Sequence, residues 1–358
     1  MKLHDALSLE HLDRMTDSTG LIQHAIYSLP RRESGYTTDD NARALRLCAR
    51  LWRQHPDERM LGRVSCYLSF LEHARTAQGG FHNFMSYDRR WLDAEGCGDC
   101  QGQAVRALAE VLASGLPDDY LLLAREMIDD VLPALANLRS LRAQAYVVLA
   151  WGHLSASSVK DLEPLEGVAW SASGRLAESF QRCKRRDWPW FESRLTYANA
   201  VLPHAMFIAA RRWPTESFAA IAETSFAFLD RKTTLNDMYS PVGNHGWYSR
   251  GEERAIYDQQ PVEAAVMADA ALAAFEALDD TAQLGMFRRA RDWFHGRNTL
   301  SQSLVDSGKG ACCDGLLSSG VNRNQGAEST LAFLWTELQF HDAQHLLSGD
   351  QGHSAAIA

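Results

Sequence analysis

The stretch PVEAAVMADAALAAFEAL, residues 261–278, is apolar on nearly every side of the helix that its alanine-rich composition predicts. A helix without a polar stripe needs packing partners on most sides, so it must lie inside a larger helical assembly. Pro203, in the middle of a similar segment, predicts a kink there. The predicted inner helices of this kind are 39–52, 99–114, 141–154, 196–213, 261–278 and 327–340.

A second kind of helix alternates with these along the chain and has a single apolar stripe. In residues 59–77, Leu61, Val64 and Leu68 recur with helical spacing on one face, while Arg63 faces water. The other predicted amphipathic helices are 119–137, 166–183, 215–230 and 281–297.

This alternation predicts an all-α fold, an (α/α)6 toroid in which six inner helices are ringed by outer ones. A helical hairpin recurs about every 55–60 residues, as in closed or stacked helical arrays. The first outer helix would come from the N-terminal segment, or the C-terminal segment would close the ring. Residues 1–345 are predicted to form this single barrel domain, and residues 346–358 a flexible tail.

Charge and composition exclude several classes of partner. The formal net charge is −9, so neither nucleic acid nor an anionic membrane is a predicted partner. The N-terminal stretch MKLHDALSLEHLDR is charged throughout, and no later segment has transmembrane length. The seven cysteines are odd in number and irregularly spaced, which favours a reducing compartment over a disulfide framework. A cytoplasmic protein is expected.

The connections between helices differ in length according to direction. From inner to outer helices the chain turns quickly, whereas the connections 78–98, 184–195, 231–259 and 298–326, from outer to inner helices, are long. In a toroid these long connections lie on one rim, at the amino ends of the inner helices. Long connections on a rigid scaffold commonly carry function, so this rim is the predicted active face.

The rim concentrates carboxylates, amides, arginines and aromatic rings, the mixture that binds sugars. Glycoside chemistry requires two carboxyl groups, about 5–5.5 Å apart in retaining and about 6.5–9.5 Å apart in inverting enzymes. The predicted catalytic residues are Asp40, Asp258, Glu192 and Asp99. The predicted substrate-binding residues are Tyr36, Asp39, Arg43, His82, Trp91, Trp188, Trp190, Tyr197, His245, Trp247, Arg250, Arg323, Asn324, Gln325 and Glu328.

Helix capping is the alternative interpretation of several of these acids. Asp39 and Asp40 follow Thr38, a natural N-cap, and acids in a first turn complement the helix dipole. Asp39 is predicted to cap and Asp40 to face the pore. Asp99 is an alternative N-cap, and Glu263 is assigned to capping and left out of the site.

Packing is the alternative interpretation of other residues singled out along the chain. Trp188 and Trp190 would then only pack their own connection. His153 and His204 fall inside predicted inner helices, where a core role is expected.

Cysteines offer one rival site. Cys97-x-x-Cys100 and the pair Cys312-Cys313 lie on the same rim, and four thiolates can bind zinc. Adjacent cysteines are poorly spaced for a tetrahedral site, so no metal is predicted. No P-loop, dinucleotide fingerprint, HExxH or GxSxG motif occurs, and no cofactor is predicted.

The chain resembles a bacterial family of (α/α)6 proteins in five stretches: GYTTDDNARAL, FHNFMSYDRRWLDAEG, WPWFESRLTYANAVLPHA, HGWYSRGEERAIYDQQPVEA and DGLLSSGVNRNQGAESTLAFL. That family is related to the six-hairpin glycosidases and is often associated with glycosyltransferases. The resemblance spans about residues 35–335 and implies a carbohydrate substrate, with mannose-containing glycans among those expected, and a glycosyltransferase as an expected partner. The chain departs from the family where Cys100 and Gln101 replace a Ser-His pair and where Ala198 replaces an aspartate.

Three functions stay open at this point. The first is a glycosidase, or a glycoside phosphorylase, that acts on oligosaccharides with Asp40 as acid or base. The second is a sugar epimerase or isomerase, for which His82 and His245 are the candidates on the rim. The third is a non-catalytic glycan-binding accessory to a glycosyltransferase, which the departure at Ala198 favours.

Overall fold

The structure is a computed structural model that describes residues 7–344 and 346. The predicted tail, 346–358, therefore lies outside the described residues apart from Leu346. None of the described helices is long and apolar enough to cross a membrane. The helices are α1 (Glu10–Met15), α2 (Thr38–Trp52), α3 (Glu58–His73), α4 (Gly98–Leu112), α5 (Asp118–Ala136), α6 (Leu141–Ser155), α7 (Glu163–Cys183), α8 (Val201–Arg212), α9 (Glu216–Thr233), α10 (Pro261–Leu278), α11 (Ala282–Phe294) and α12 (Ala327–Asp342).

The even-numbered helices, α2 to α12, form a closed inner wall. Each packs against the next one in the set, and α12 packs back against α2. Small residues allow this close packing: a Cβ added at Gly102 in α4 would lie 2.8 Å from the Cβ of Tyr146 in α6. The predicted (α/α)6 toroid is confirmed.

The outer layer consists of α3, α5, α7, α9 and α11, each packed against the inner helix that precedes it. Their buried residues follow the predicted apolar stripes; in α3, for example, Val64 and Leu68 are buried. The short α1 packs against α12. The N-terminal segment thus supplies the sixth outer element among the described residues.

Helix α8 is shorter than predicted. It begins at Val201 instead of residue 196, and Asn199 and Ala200 precede it in a turn. Pro203 therefore lies in the first helical turn, where its missing N–H would have had no partner within the helix. The predicted mid-helix kink is wrong for this reason.

The connections carry six short antiparallel ladders, of which two join different connections and four are hairpins within one connecting segment. The ladder β3–β4 joins the segment before α2 to the α3–α4 connection, and β5–β8 joins the α7–α8 connection to the α9–α10 connection. Strands of two or three residues are too short to show a hydrophobic period, which explains why none was predicted. The paired strands are β1 (Ala25–Ile26) with β2 (Leu29–Pro30), β3 (Tyr36–Thr37) with β4 (Phe84–Met85), β5 (Arg194–Leu195) with β8 (Tyr248–Ser249), β6 (Thr234–Leu235) with β7 (Met238–Tyr239), β9 (Val305–Asp306) with β10 (Ala311–Cys312), and β11 (Gly315–Leu317) with β12 (Gly320–Asn322).

Candidate active site at the amino ends of the inner helices

The second residue of four inner helices is charged. It is Asp39 in α2, Asp99 in α4, Arg142 in α6 and Glu328 in α12. Because the inner helices surround one axis, these positions ring it at a single end of the barrel. The partial positive charge at the helix amino ends favours carboxylates there.

Arg43, one turn into α2, gathers three carboxylates. Its Nη1 lies 3.1 Å from Asp40 Oδ1, and its Nη2 lies 3.3 Å from Asp39 Oδ2 and 3.2 Å from Glu328 Oε2. Since the last two oxygens share one nitrogen, they lie within about 6.5 Å of each other, close to the range used by glycosidases. We call Asp39, Asp40, Arg43 and Glu328 the Arg43 cluster.

The three carboxylates of this cluster differ in exposure. The side chain of Glu328 is 42% exposed and that of Asp39 is 23% exposed, whereas that of Asp40 is only 6% exposed. Asp39 Oδ1 accepts no hydrogen bond from the part of the chain that the structure describes. The side chains of Asp39 and Glu328 are therefore open enough to contact a ligand, although Asp39 Oδ1 itself is buried.

The carboxylate and the backbone N–H of Asp40 both bond to the N-cap residue of α2. The N-cap is Thr37 instead of Thr38: the Thr37 hydroxyl accepts from the Asp40 backbone N–H at 3.1 Å and donates to Asp40 Oδ2 at 2.8 Å. Asp39 makes no such bond to the cap. The expected division of roles, with Asp39 capping and Asp40 open to substrate, is thus corrected.

Burial and crowding raise the pKa values of both aspartates. Burial is the main cause for Asp40, whose pKa rises to about 7 despite the opposing charge of Arg43. Burial also raises the pKa of Asp39, to about 6, and the charges of Glu328 and Asp99 contribute to the rise. A protonated carboxyl group is consequently available near neutral pH, as general acid catalysis requires.

Replacing Thr37 by alanine is expected to lower the free energy of unfolding by about 1–2 kcal/mol, because α2 loses its N-cap and Asp40 loses a donor. Chemical denaturation of the variant would measure the loss. Thr37→Ser keeps the hydroxyl and is the matched control; an equal loss in the serine variant would contradict the capping role.

Arg142 organises a second group of side chains beside the first. Its Nη1 donates to Glu192 Oε2 at 2.9 Å, and its guanidinium lies 4.6 Å from the centre of the Tyr197 ring. The Tyr197 hydroxyl donates to Asp99 Oδ2 at 2.6 Å, although the tyrosine as a whole is 41% exposed. We call Asp99, Arg142, Glu192 and Tyr197 the Arg142 cluster. It offers a half-exposed aromatic ring between polar groups.

Asp99 links helices instead of capping one. The N-cap of α4 is Cys97, and the two Asp99 oxygens accept from Tyr197 and from Ser140, the N-cap residue of α6. The capping alternative for Asp99 is therefore wrong. The Asp99 charge also raises the pKa of Asp39, so the two clusters influence each other electrostatically.

Glu263 is buried at the same end and also does not cap its own helix. Its carboxylate accepts from the backbone N–H groups of Ala198 and Asn199 and from the Asn199 side chain. Burial raises its pKa to about 7, although these donors oppose the rise. Ala198 has a positive φ of 45°, so the residue that departs from the family pattern holds a left-handed turn directly on this buried acid.

Two residues of this site were missed from the sequence, Arg142 and Glu263. Both lie in the first turn of an inner helix, as do Asp39, Asp40, Asp99 and Glu328. A charged first-turn residue in a helix that is otherwise apolar was the signal that would have found them.

Three predicted substrate contacts are instead part of the core. Tyr36 is 1% exposed and its hydroxyl donates to Asp17, while Trp188 and Trp190 are 2% and 0% exposed and pack around Phe228. These aromatic side chains fill space between the connections and the barrel. The packing alternative for the two tryptophans is correct.

His82 and Trp91 stack on each other within the α3–α4 connection, with ring centres 4.9 Å apart. His82 Nδ1 hydrogen bonds to the backbone oxygen of Asp93 at 2.8 Å, and the His82 backbone oxygen accepts from Thr38 Oγ1. The pair secures this connection to the start of α2.

The other predicted contacts lie on the α9–α10 and α11–α12 connections, and the Arg250 backbone N–H donates to the carbonyl of Ser193, next to Glu192. His245, Arg250 and Arg323 are exposed, and Trp247 is half-buried against the core. Asp258 is half-buried two residues before the N-cap of α10.

Asn324 and Gln325 join the last connection to the N-terminal segment. The Asn324 side chain accepts from the backbone N–H of Tyr27, and the Gln325 N–H donates to the Tyr27 carbonyl. His11 also contacts the Gln325 carbonyl, at 2.8 Å. These contacts are structural.

The second departure from the family pattern is structural as well. Both polar atoms of the Gln101 side chain bond to the backbone of Phe81, and the Cys100 thiol is directed at the His82 carbonyl at 3.5 Å. All seven cysteines are free thiols. Among the described residues, no group of three or more His, Cys, Asp or Glu side chains could hold a metal ion.

Comparison with known proteins identifies the fold. No protein-family model matches the chain, and no curated protein matches it either. A cellobiose 2-epimerase from Spirochaeta thermophila superposes with a TM-score of 0.71 at 12% identity, covering 96% of this chain and 95% of its own. A sugar epimerase from a ruminal bacterium gives 0.70 at 10% identity, covering 94% and 97%. A GH76 α-mannanase from Bacteroides thetaiotaomicron gives 0.66 at 10% identity, covering 94% and 93%. Likeness at this identity shows the shared (α/α)6 toroid.

Proposed function

We propose that this protein is a carbohydrate-active enzyme that hydrolyses a glycosidic bond in an oligosaccharide, with Asp39 as the general acid. The observation that carries the proposal is the Arg43 cluster, in which two reachable carboxylates flank one half-buried guanidinium. The names of the proteins that share its fold, two sugar epimerases and a mannanase, support a sugar substrate.

The roles follow from exposure and spacing. Asp39 has a raised pKa and a side chain that is 23% exposed, so it is suited to protonate a leaving oxygen. Glu328 pairs with Arg43 and is more exposed, so it is assigned as the carboxylate that attacks the sugar. Their separation, below about 6.5 Å, favours a retaining mechanism. Asp40 is a positioning residue that orients Arg43.

The Arg142 cluster supplies the substrate contacts in this proposal. The half-exposed Tyr197 ring is the aromatic surface on which a pyranose would stack. Glu192, whose side chain is 33% exposed, accepts hydrogen bonds from sugar hydroxyls. Mannose-containing glycans are the first substrates to test, on the sequence resemblance and the mannanase neighbour.

The test is incubation of the purified protein with manno- and gluco-oligosaccharides, with and without phosphate. Release of sugar in buffer alone, with retained anomeric configuration by NMR, is the expected result. Release only with phosphate would replace the hydrolase by a phosphorylase. No release, with sugars that still raise the melting temperature, would favour a glycan-binding accessory, and co-purification of a glycosyltransferase would support that function.

A sugar epimerase or isomerase is the second candidate, because structures that share the fold carry those names. Its chemistry needs an acid and a base on either side of one carbon. His82, one of the two histidines predicted for it, is held by Asp93 and Trp91, and His245 is exposed. Deuterium exchange from solvent into a free sugar, without bond cleavage, would support this candidate over hydrolysis.

A further inference from the structure

A cavity of about 710 Å³ opens at the end of the barrel opposite the candidate active site. Its outer wall comes from the last turns of the inner helices, with Arg50 of α2, His153 of α6 and Arg212 of α8 among the lining residues. Five arginines and four carboxylates line it. The chain as a whole has a net charge of −9, so a cavity lined by more arginines than carboxylates differs from the rest of the protein.

At the inner end of this cavity, two guanidinium groups share one carboxylate. Asp269 Oδ2 lies 3.4 Å from Arg106 Nη2 and 3.8 Å from Arg46 Nη2, and Asp269 Oδ1 accepts from Trp335 Nε1 at 2.8 Å. The Arg46 guanidinium lies 3.5 Å from the centre of the Trp335 ring. It donates no hydrogen bond to any described residue at the distances that define one.

Two arginines against one aspartate leave a positive charge inside the barrel, where an unpaired charge is costly. Helix dipoles do not account for it, because Arg46 and Arg106 lie mid-helix, away from the carboxyl ends that favour cations. An anion with fixed oxygens would satisfy both guanidinium groups.

Several polar atoms of the cavity wall are also buried without a hydrogen bond in the described chain. Of these, His153 Nε2 and Glu110 Oε1 lie 3.5 Å from each other, whereas His204 Nδ1 and Gln339 Oε1 have no hydrogen-bond partner among the described residues. Burial lowers the pKa of His204 to about 4, so this histidine is neutral and can donate or accept a hydrogen bond. Unused polar atoms around a cavity of this size suit a polar ligand.

We propose that this cavity binds a small organic molecule that carries an oxyanion group, a phosphate ester or a carboxylate. The oxyanion contacts Arg46 and Arg106, and the polar body of the molecule contacts His153, His204 and Gln339. A smaller cavity of about 50 Å³ adjoins this one and is lined by Arg46 and Arg106 as well as by Arg43 and Glu328 of the Arg43 cluster. Anion binding is measured without any substrate of the proposed hydrolysis, so the two proposals can fail separately.

The test is a titration of the full chain with inorganic phosphate, glucose 6-phosphate and glucuronate, with glucose as the neutral control. At least one anion is expected to raise the melting temperature and to change tryptophan fluorescence, while glucose has no effect. The fluorescence change should be absent in Trp335→Phe. Comparison of the three anions distinguishes a phosphate from a carboxylate ligand.

Arg46→Met is expected to weaken anion binding about tenfold or more, since a charge-assisted hydrogen bond is lost. Arg53→Met is the matched control: Arg53 lies at the same end, 3.9 Å from Glu110, but does not line the cavity. Should Arg46→Met not fold, Arg212→Met on the exposed wall should weaken binding about two- to fivefold. The proposal would be overturned by the absence of a response to any anion or by equal binding of glucose and glucose 6-phosphate. Wild-type anion affinity in both Arg46→Met and Arg212→Met would also overturn it.

Discussion

Replacing Asp39 by asparagine is expected to lower the turnover number for oligosaccharide hydrolysis about 10²–10⁴-fold, the usual contribution of a general acid. Asparagine keeps the size of the side chain and can still contact Arg43, so the fold and substrate binding should change little. The measurement is steady-state kinetics on the substrate found in the oligosaccharide screen, with the KM as a check on binding.

The pH profile supplies an independent check on this role. A general acid works only while it is protonated, and the pKa of Asp39 is raised to about 6. The wild-type rate should therefore fall as the pH rises above about 6. Glu253→Gln, which changes an exposed acid of the α9–α10 connection, is the matched control and should retain activity. Full activity in Asp39→Asn combined with an inactive Asp40→Asn would transfer the acid role to Asp40.

Replacing Arg43 by methionine is expected to lower the free energy of unfolding by about 3–5 kcal/mol at pH 8, because the change leaves the buried carboxylate of Asp40 without its cation. Asp39, Asp40 and Glu328 would then face one another without a positive charge between them. Urea denaturation at a series of pH values measures the loss. Arg59→Met, which breaks an exposed ion pair with Asp13, is the control and should cost at most about 1 kcal/mol.

The sign of the pH effect follows from the raised pKa values. Asp39 and Asp40 bind protons more tightly in the folded protein than at their ordinary pKa of 3.8, so their ionisation destabilises the fold as the pH rises from about 4 through 7. Without Arg43, the ionised aspartates destabilise the folded protein more strongly. Protonation of these aspartates at lower pH removes this destabilisation. The difference between Arg43→Met and wild type should therefore shrink from pH 8 to pH 5. A difference that stays constant over this range would show that Arg43 acts through packing.

The fold was predictable because it depends on short-range patterns. Apolar, alanine-rich segments such as 261–278 cannot face water. Because they alternate with amphipathic helices along the chain, few architectures besides a toroid are possible. The start of α8 was misplaced because apolar residues continue upstream of Val201, where the chain actually turns at Ala198. Local composition does not show a left-handed residue that a distant carboxylate, Glu263, holds in place.

The sequence predicts which end of the barrel carries the candidate site, but not the contacts within it. Sequence places Asp39, Asp40 and Glu328 at amino ends of inner helices, and the structure brings all three to Arg43. Which of two adjacent aspartates is buried depends on a hydroxyl from Thr37. Aromatic residues on a long connection, such as Trp190, are equally compatible with a binding surface and with a core. That choice depends on contacts between segments far apart in the chain.

The ladders β3–β4 and β5–β8 bear on how such a protein can be re-engineered. In each ladder, two connections from different helical hairpins share backbone hydrogen bonds. The conformation of one connection therefore depends on the other. Grafting a connection from a relative to alter substrate preference would leave its partner strand unpaired. The two connections that each of these ladders joins should consequently be exchanged together, whereas the fast turns on the opposite rim can be replaced singly.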